Sequence, residues 1–221
     1  MRTPFSLLYM LLFLFLLAML LAVIQFGIVT MTYEKLGLSP SAAVMLLFGS
    51  LWGSLINVPL FSVQSVQGPP YVASAMHGML RGYARKHDGR TLIAANVGGC
   101  IIPVIFSSYL LLQDRPALGH ALLGTTAVAV ISYLVSRPIA GMGIAMPFFV
   151  APLTAAAVAL FIDPENAASL AYIAGTIGVL AGADLLRLRD VGRLGSPIAS
   201  IGGAGTFDGI FITGIVAVLL T

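Results

Sequence analysis

Residues 5–29 read FSLLYMLLFLFLLAMLLAVIQFGIV, a run without a single charged side chain. About 20 apolar residues cross the hydrocarbon core of a bilayer as a helix, so this stretch is predicted to span a membrane. It is too long for the apolar core of a cleavable leader and offers no evident small-residue cleavage site, so it is expected to remain in the chain. The rest of the sequence agrees. Of 221 residues, 59% are hydrophobic and 9% are charged, whereas soluble domains carry about a quarter charged residues. A water-soluble domain of this length needs a polar shell that this composition cannot supply. The 24 glycines fit the same picture, because small residues let membrane helices approach closely.

Six further spans are expected, at roughly 40–63, 92–112, 120–136, 139–162, 169–186 and 198–220. The fold class is therefore predicted to be all-α: a polytopic bundle of about seven transmembrane helices, some kinked or broken, in a single domain over 1–221. Ser39-Pro40, Asp163-Pro164 and Ser196-Pro197 mark connectors, since X-Pro steps favour turns. Basic residues set the orientation. With the N-terminus in the cytoplasm, the inside carries Arg2, Arg81, Arg85, Lys86, Arg90, Arg137, Arg187, Arg189 and Arg193, and the outside only Lys35 and Arg115. That asymmetry follows the positive-inside rule and places the C-terminus outside. The setting expected is a cell inner (plasma) membrane crossed many times. The net charge of +3 reflects this topology and is not read as nucleic-acid binding. The basic loop at about 64–91 is read as a cytoplasmic topology determinant that touches anionic lipid. Cys100 is the lone cysteine, so an internal disulfide and a cysteine metal cluster are both excluded. No metal or cofactor is implied.

Once the loops have taken their charges, two carboxylates remain within spans, Asp184 in the sixth and Asp208 in the seventh. An Asp at the centre of a span costs at least about 2.5 kcal/mol, which makes it a candidate functional residue. Asp184 also lies close to Arg187 and Arg189, where it can act as an ordinary flanking charge. The depth of Asp208 has two readings. If the seventh segment is helical from Ile198, Asp208 lies about 15 Å deep and Asp184 only about 5 Å, and the two do not meet. In the other reading Gly202, Gly203 and Gly205 break the helix, Thr206 caps a new one, and Asp208 occupies its first turn near the positive end of the dipole. Asn57 and Asn96 fall at a similar level in the second and third spans. Together these residues predict a polar cavity open to the cytoplasm, lined by Asn57, Asn96, Gly202, Gly203, Gly205, Thr206 and the two aspartates.

Two carboxyl groups that share a proton can act as general acid and base on a water attacking a peptide carbonyl. The pattern of an Asp near one helix end and a Gly-x-Gly-containing Asp segment in the next resembles the intramembrane aspartyl proteases of the presenilin, signal-peptide-peptidase and prepilin-peptidase type. By that resemblance Asp184 and Asp208 are the catalytic pair and a transmembrane peptide is the substrate. In that group Asp directly follows Gly-x-Gly, whereas here Thr206 and Phe207 intervene, and the nearest echo of its Pro-Ala-Leu element, Ala151-Pro152-Leu153, precedes the aspartates. A fuller resemblance, carried by Asn96-Val97-Gly98-Gly99, by Ala181-Gly182-Ala183-Asp184-Leu185 and by Ser200 to Gly209, is to an uncharacterised family of small prokaryotic membrane proteins. The alternatives are a proton- or cation-coupled transporter or channel, since intramembrane carboxylates bind such ions, and a non-catalytic scaffold.

Overall fold

A computed structural model describes residues 7–65, 89–113, 116–139, 143–193, 195, 198–203 and 209–221. The chain forms two compact units, 1–47 and 48–221. In the first, helix α1 (Leu7–Lys35) ends where its geometry requires a left-handed residue. Gly37 has φ +83°, its N–H donates to Glu34 O, and that of Leu38 reaches back to Tyr33 O at 3.2 Å. These crossed bonds satisfy carbonyls that the helix end would otherwise orphan. Helix α2 (Pro40–Gly53), whose residues from Phe48 on belong to the second unit, opens with Ser39 as its cap, accepting from Ala42 N, and with Pro40 at the first position, where a missing N–H costs nothing.

The second unit is built around helix α6 (Ala167–Val179), in which every residue but Ala168 and Ile177 is buried. It packs against α3 (Ile102–Leu112), α4 (Leu118–Val135), α5 (Val150–Ile162) and α8 (Gly209–Leu219). The sides of α4 explain this choice of residues. Its buried positions are Ala121, Gly124, Val128 and Ser132, spaced along one face, while Leu118, Leu122, Leu123, Val130 and Leu134 are exposed. Small residues turned inward and large apolar ones turned outward suit packing in lipid, where close backbone approach rather than water exclusion holds helices together. Among the described residues two helices are long and apolar enough to cross a membrane, Leu118–Val135 and Pro164–Leu185. The pair Phe26–Lys35 and Pro40–Gly53, bent by 119°, makes a third if taken as one span.

The structure remains mostly helical, but the expected all-α bundle is corrected, because several predicted spans divide into strand and helix. Asn57–Gln64 is strand β1, Arg90–Asn96 is β2 and Ile198–Ile201 is β5. They form one sheet in the order β1-β2-β5, antiparallel then parallel. The predicted fifth span likewise opens with a hairpin of β3 (Arg137–Ile139) and β4 (Gly143–Ala145) ahead of α5. Short apolar runs such as Leu92–Ala95 carry no periodicity that separates a buried strand from a helix. Here β2 is the central strand and buries almost every residue, the pattern of a strand covered on both faces. Pro59 sits on the edge strand β1 beside a bulge, where a residue without an N–H is tolerated. A two-residue turn, Leu186-Arg187, and the short helix α7 (Leu188–Val191) lead from the α6 segment toward β5.

Candidate functional site

Asp184 stands where α6 changes its winding. Beyond Val179 the chain continues as a π-helical segment, Leu180–Leu185, and Leu186 N donates to Ala181 O, five residues back, at 2.9 Å. Such wide turns redirect side chains and recur at functional sites. The local cause is packing: Gly182 lies so close to α4 that a Cβ there would overlap the Ala129 carbonyl oxygen. The segment carries Asp184 into a cavity of about 260 Å³. Strand β4 supplies Ile144 and Ala145 to its wall, and the residues after it supply Met146 and Phe148. Val179 and Ala183 close it from the α6 side. The remaining wall is Ile210, Ile212 and Thr213 of α8, the helix that follows Asp208 in the chain. Asp184 and Thr213 are the polar residues of this lining. Thr213 itself is 2% exposed, and its methyl stands 3.1 Å from where a side-chain carbon on Gly175 would lie.

The asparagines form a second cluster, at the end of the sheet. Asn96 is 1% exposed and closes β2. Its amide nitrogen donates to Ser54 O at 2.7 Å and to Asn57 Oδ1 at 3.1 Å, and its oxygen accepts from Gly99 N at 2.8 Å. That last bond caps a π-helical turn, Val97–Ile101, which feeds α3. Asn57 Oδ1 also accepts from the Ser200 hydroxyl, so β1, β2 and β5 are joined by side chains as well as by backbone. Gly202, at φ +72°, and Gly203 complete the joint: a Cβ on Gly203 would lie 2.7 Å from Asn96 Cβ, and one on Gly202 2.6 Å from Cys100 Cβ. With both amide protons and one lone pair used, Asn96 serves as a clamp that ties the end of β2 to Ser54, to the start of β1 and to the turn before α3, with Gly203 packed against it.

Two charged groupings bound the helices. Arg187 donates to the Tyr133 and Ser136 carbonyls at 2.8 and 2.9 Å, to Ser136 Oγ and to Asp190, and its guanidinium lies 4.3 Å from the Tyr133 ring centroid. It thereby caps the C-terminus of α4, where the dipole favours a cation. At the opposite end of α4, His120 Nδ1 lies 3.0 Å from Asp163 Oδ2. The hydrogen bond from His120, helped by the side chain and backbone of Asn166, holds the Asp163 carboxyl below the ordinary carboxylate range, against the opposing effect of burial. The folded carboxyl thus keeps its charge to lower pH than the unfolded one. Its stabilisation is complete above the ordinary value near about 3.9 and fades as pH falls below it. Thermal midpoints in detergent are expected to hold down to about pH 4 and to drop below it, and Asp163→Asn to flatten that drop. Asp163 also caps the short turn Pro164–Asn166 by accepting from Asn166 N, and loss of that cap in Asp163→Ala is expected to cost about 1 kcal/mol.

The structure brings Asn57, Asn96, Gly202 and Gly203 together and places Asp184 in a cavity whose lining holds none of them. Asp208, Gly205 and Thr206, and most of the basic loop at 64–91, lie outside the described residues. Of the two readings of the last segment, continuous helix from Ile198 is overturned, because Ile198–Ile201 is a strand and Gly202 turns with positive φ. Sequence reasoning missed Thr213, Ser200 and Arg187. Thr213 and Ser200 carry no charge to mark them in an apolar run, and Arg187 was counted as a topology residue alone.

No curated protein and no solved structure matches the chain. A family model described as a protein of unknown function matches residues 51–220, which take in the sheet, both π-helical turns and the Asp184 cavity. The chain therefore belongs to the DUF1614 family.

Proposed function

We propose that this protein is an intramembrane aspartyl hydrolase in which Asp184 and Asp208 activate water for cleavage of a transmembrane peptide. The observation that carries this reading is the composition of one cavity: Asp184 lines it from a π-helical turn, and so does α8, which follows Asp208 in the chain. Apolar side chains make up most of its lining, and charge–charge and charge–dipole effects on a carboxyl grow where such walls displace solvent. In the reaction one carboxylate removes a proton from water as its oxygen adds to the carbonyl carbon. The other, protonated, gives its proton to the carbonyl oxygen. Collapse of the gem-diol breaks the C–N bond, with a proton passing to the leaving amine. In this reading the chain crosses the inner (plasma) membrane about seven times as one transmembrane domain, N-terminus in the cytoplasm, with lipid and a peptide substrate as its partners.

The test is cleavage of reporter transmembrane peptides in proteoliposomes. Asp184→Asn and Asp208→Asn are each expected to lower the rate at least about a thousandfold while the thermal midpoint stays near wild type, because removing one member of a catalytic pair removes the pair. Solute or proton flux lost in the same variants, with no cleavage by wild type, would assign the cavity to a carrier instead. Unchanged cellular function in both variants would leave a scaffold.

A further inference from the structure

Resting on the hydrolase reading, we infer that the cavity beside Asp184 is a side-chain pocket that selects a transmembrane peptide by one bulky apolar residue. The space measures about 260 Å³. An apolar cavity of about 150 Å³ holds a benzene ring, and sites for drug-sized molecules begin near 300 Å³. One aliphatic or aromatic side chain fills a space between those limits. The walls suit such an occupant: Met146, Phe148 and Ile212 are apolar, and Ala145 and Ala183 keep the interior open by being small. An anionic side chain would be repelled by the Asp184 carboxyl, and an amide would give up its hydration to a lining in which Asp184 and Thr213 are the polar members. Alanine would leave most of the volume empty and forfeit the contacts that a close-packed interior supplies. Since Asp184 lines the same space, a side chain seated there brings its own peptide bond to the carboxylate.

The probe is a single-span peptide of about 20 residues carrying one diazirine-bearing leucine, stepped along its length. It is added to the Asp184→Asn protein in phosphatidylcholine liposomes, with Asp208→Asn as a second inactive protein. One register is expected to label Met146 or Ile212. Unlabelled peptides with Leu or Phe at that position should compete at least about tenfold better than the Ala peptide, the discrimination that one or two methylenes provide in an apolar pocket. Ala145→Leu, which fills the space, should shift preference to the Ala peptide at an unchanged thermal midpoint. Labelling without register dependence, equal competition by Ala and Phe, or labelling of Met146 by a diazirine-bearing acyl lipid that no peptide displaces would overturn the pocket. Wild-type cleavage without side-chain preference overturns the pocket and spares the hydrolase. Register-specific labelling with no wild-type cleavage does the reverse.

Discussion

Gly182→Val is expected to cost about 3 kcal/mol or more and to leave little folded protein in the membrane, the upper end of what overpacking does. The reason is the identity of the neighbour. A Cβ at Gly182 would overlap the Ala129 carbonyl oxygen and stand 2.8 and 2.9 Å from the Ala129 carbonyl carbon and Cα. These are backbone atoms of α4, and they can withdraw only if α4 as a whole moves away from the α6 segment. Gly124, on the same helix pair, gives the contrast. A Cβ there would lie 3.2 Å from Leu170 Cδ1 and 3.3 Å from Ala174 Cβ, side-chain atoms that need to give by only a few tenths of an ångström. Gly124→Ala is accordingly expected to cost less than about 1 kcal/mol. Thermal unfolding in one detergent, followed by circular dichroism, measures both. A Gly182→Val midpoint within a degree or two of wild type would show that α4 and the α6 segment are not held at backbone distance.

Asn96→Asp is the second large effect, expected at about 3 kcal/mol or more. The substitution changes almost no volume, so the whole cost is polar. It removes the two amide protons that Ser54 O and Asn57 Oδ1 accept and points a carboxylate oxygen at those acceptors. The bond from Gly99 N survives, and a single good donor does not offset a buried charge facing two oxygens. Asn57→Ala is expected to be milder, because Asn57 is exposed and water can replace it at Asn96 and Ser200. Denaturant or thermal titration of the three proteins gives the ranking. Asn96→Asp as stable as Asn57→Ala would mean that Asn96 is not the clamp. A fold-competent Asn57→Ala protein also allows activity to be measured with the joint loosened but standing.

Much of the architecture was legible because lipid imposes simple demands. A charge-free run such as 5–29 has to be a helix, and α1 covers Leu7–Lys35. The sixth predicted span, 169–186, coincides with α6 and its continuation to Leu185. Strands were invisible for an equally physical reason. Leu92–Ala95 and Ile198–Ile201 pair in parallel across more than a hundred residues, and neither carries a local sign of the other. The same holds for the candidate site. Asp184 stood out as a charge in an apolar span, and Asn57 and Asn96 as amides at one level. That the asparagines clamp a sheet while Asp184 faces a separate cavity depends on side chains from β4 and α8, far apart in sequence.

The amino-acid sequence by itself determined that this chain belongs in a bilayer and which of its residues were costly enough there to need a reason. Composition and the spacing of charges suffice for that, since each residue's transfer cost is largely its own. The tertiary structure alone decided where helix gives way to strand, where α6 widens into a π turn, and what each costly residue faces. Those outcomes rest on close approaches such as Gly182 to Ala129 and Gly203 to Asn96, contacts that exist only when distant segments have met.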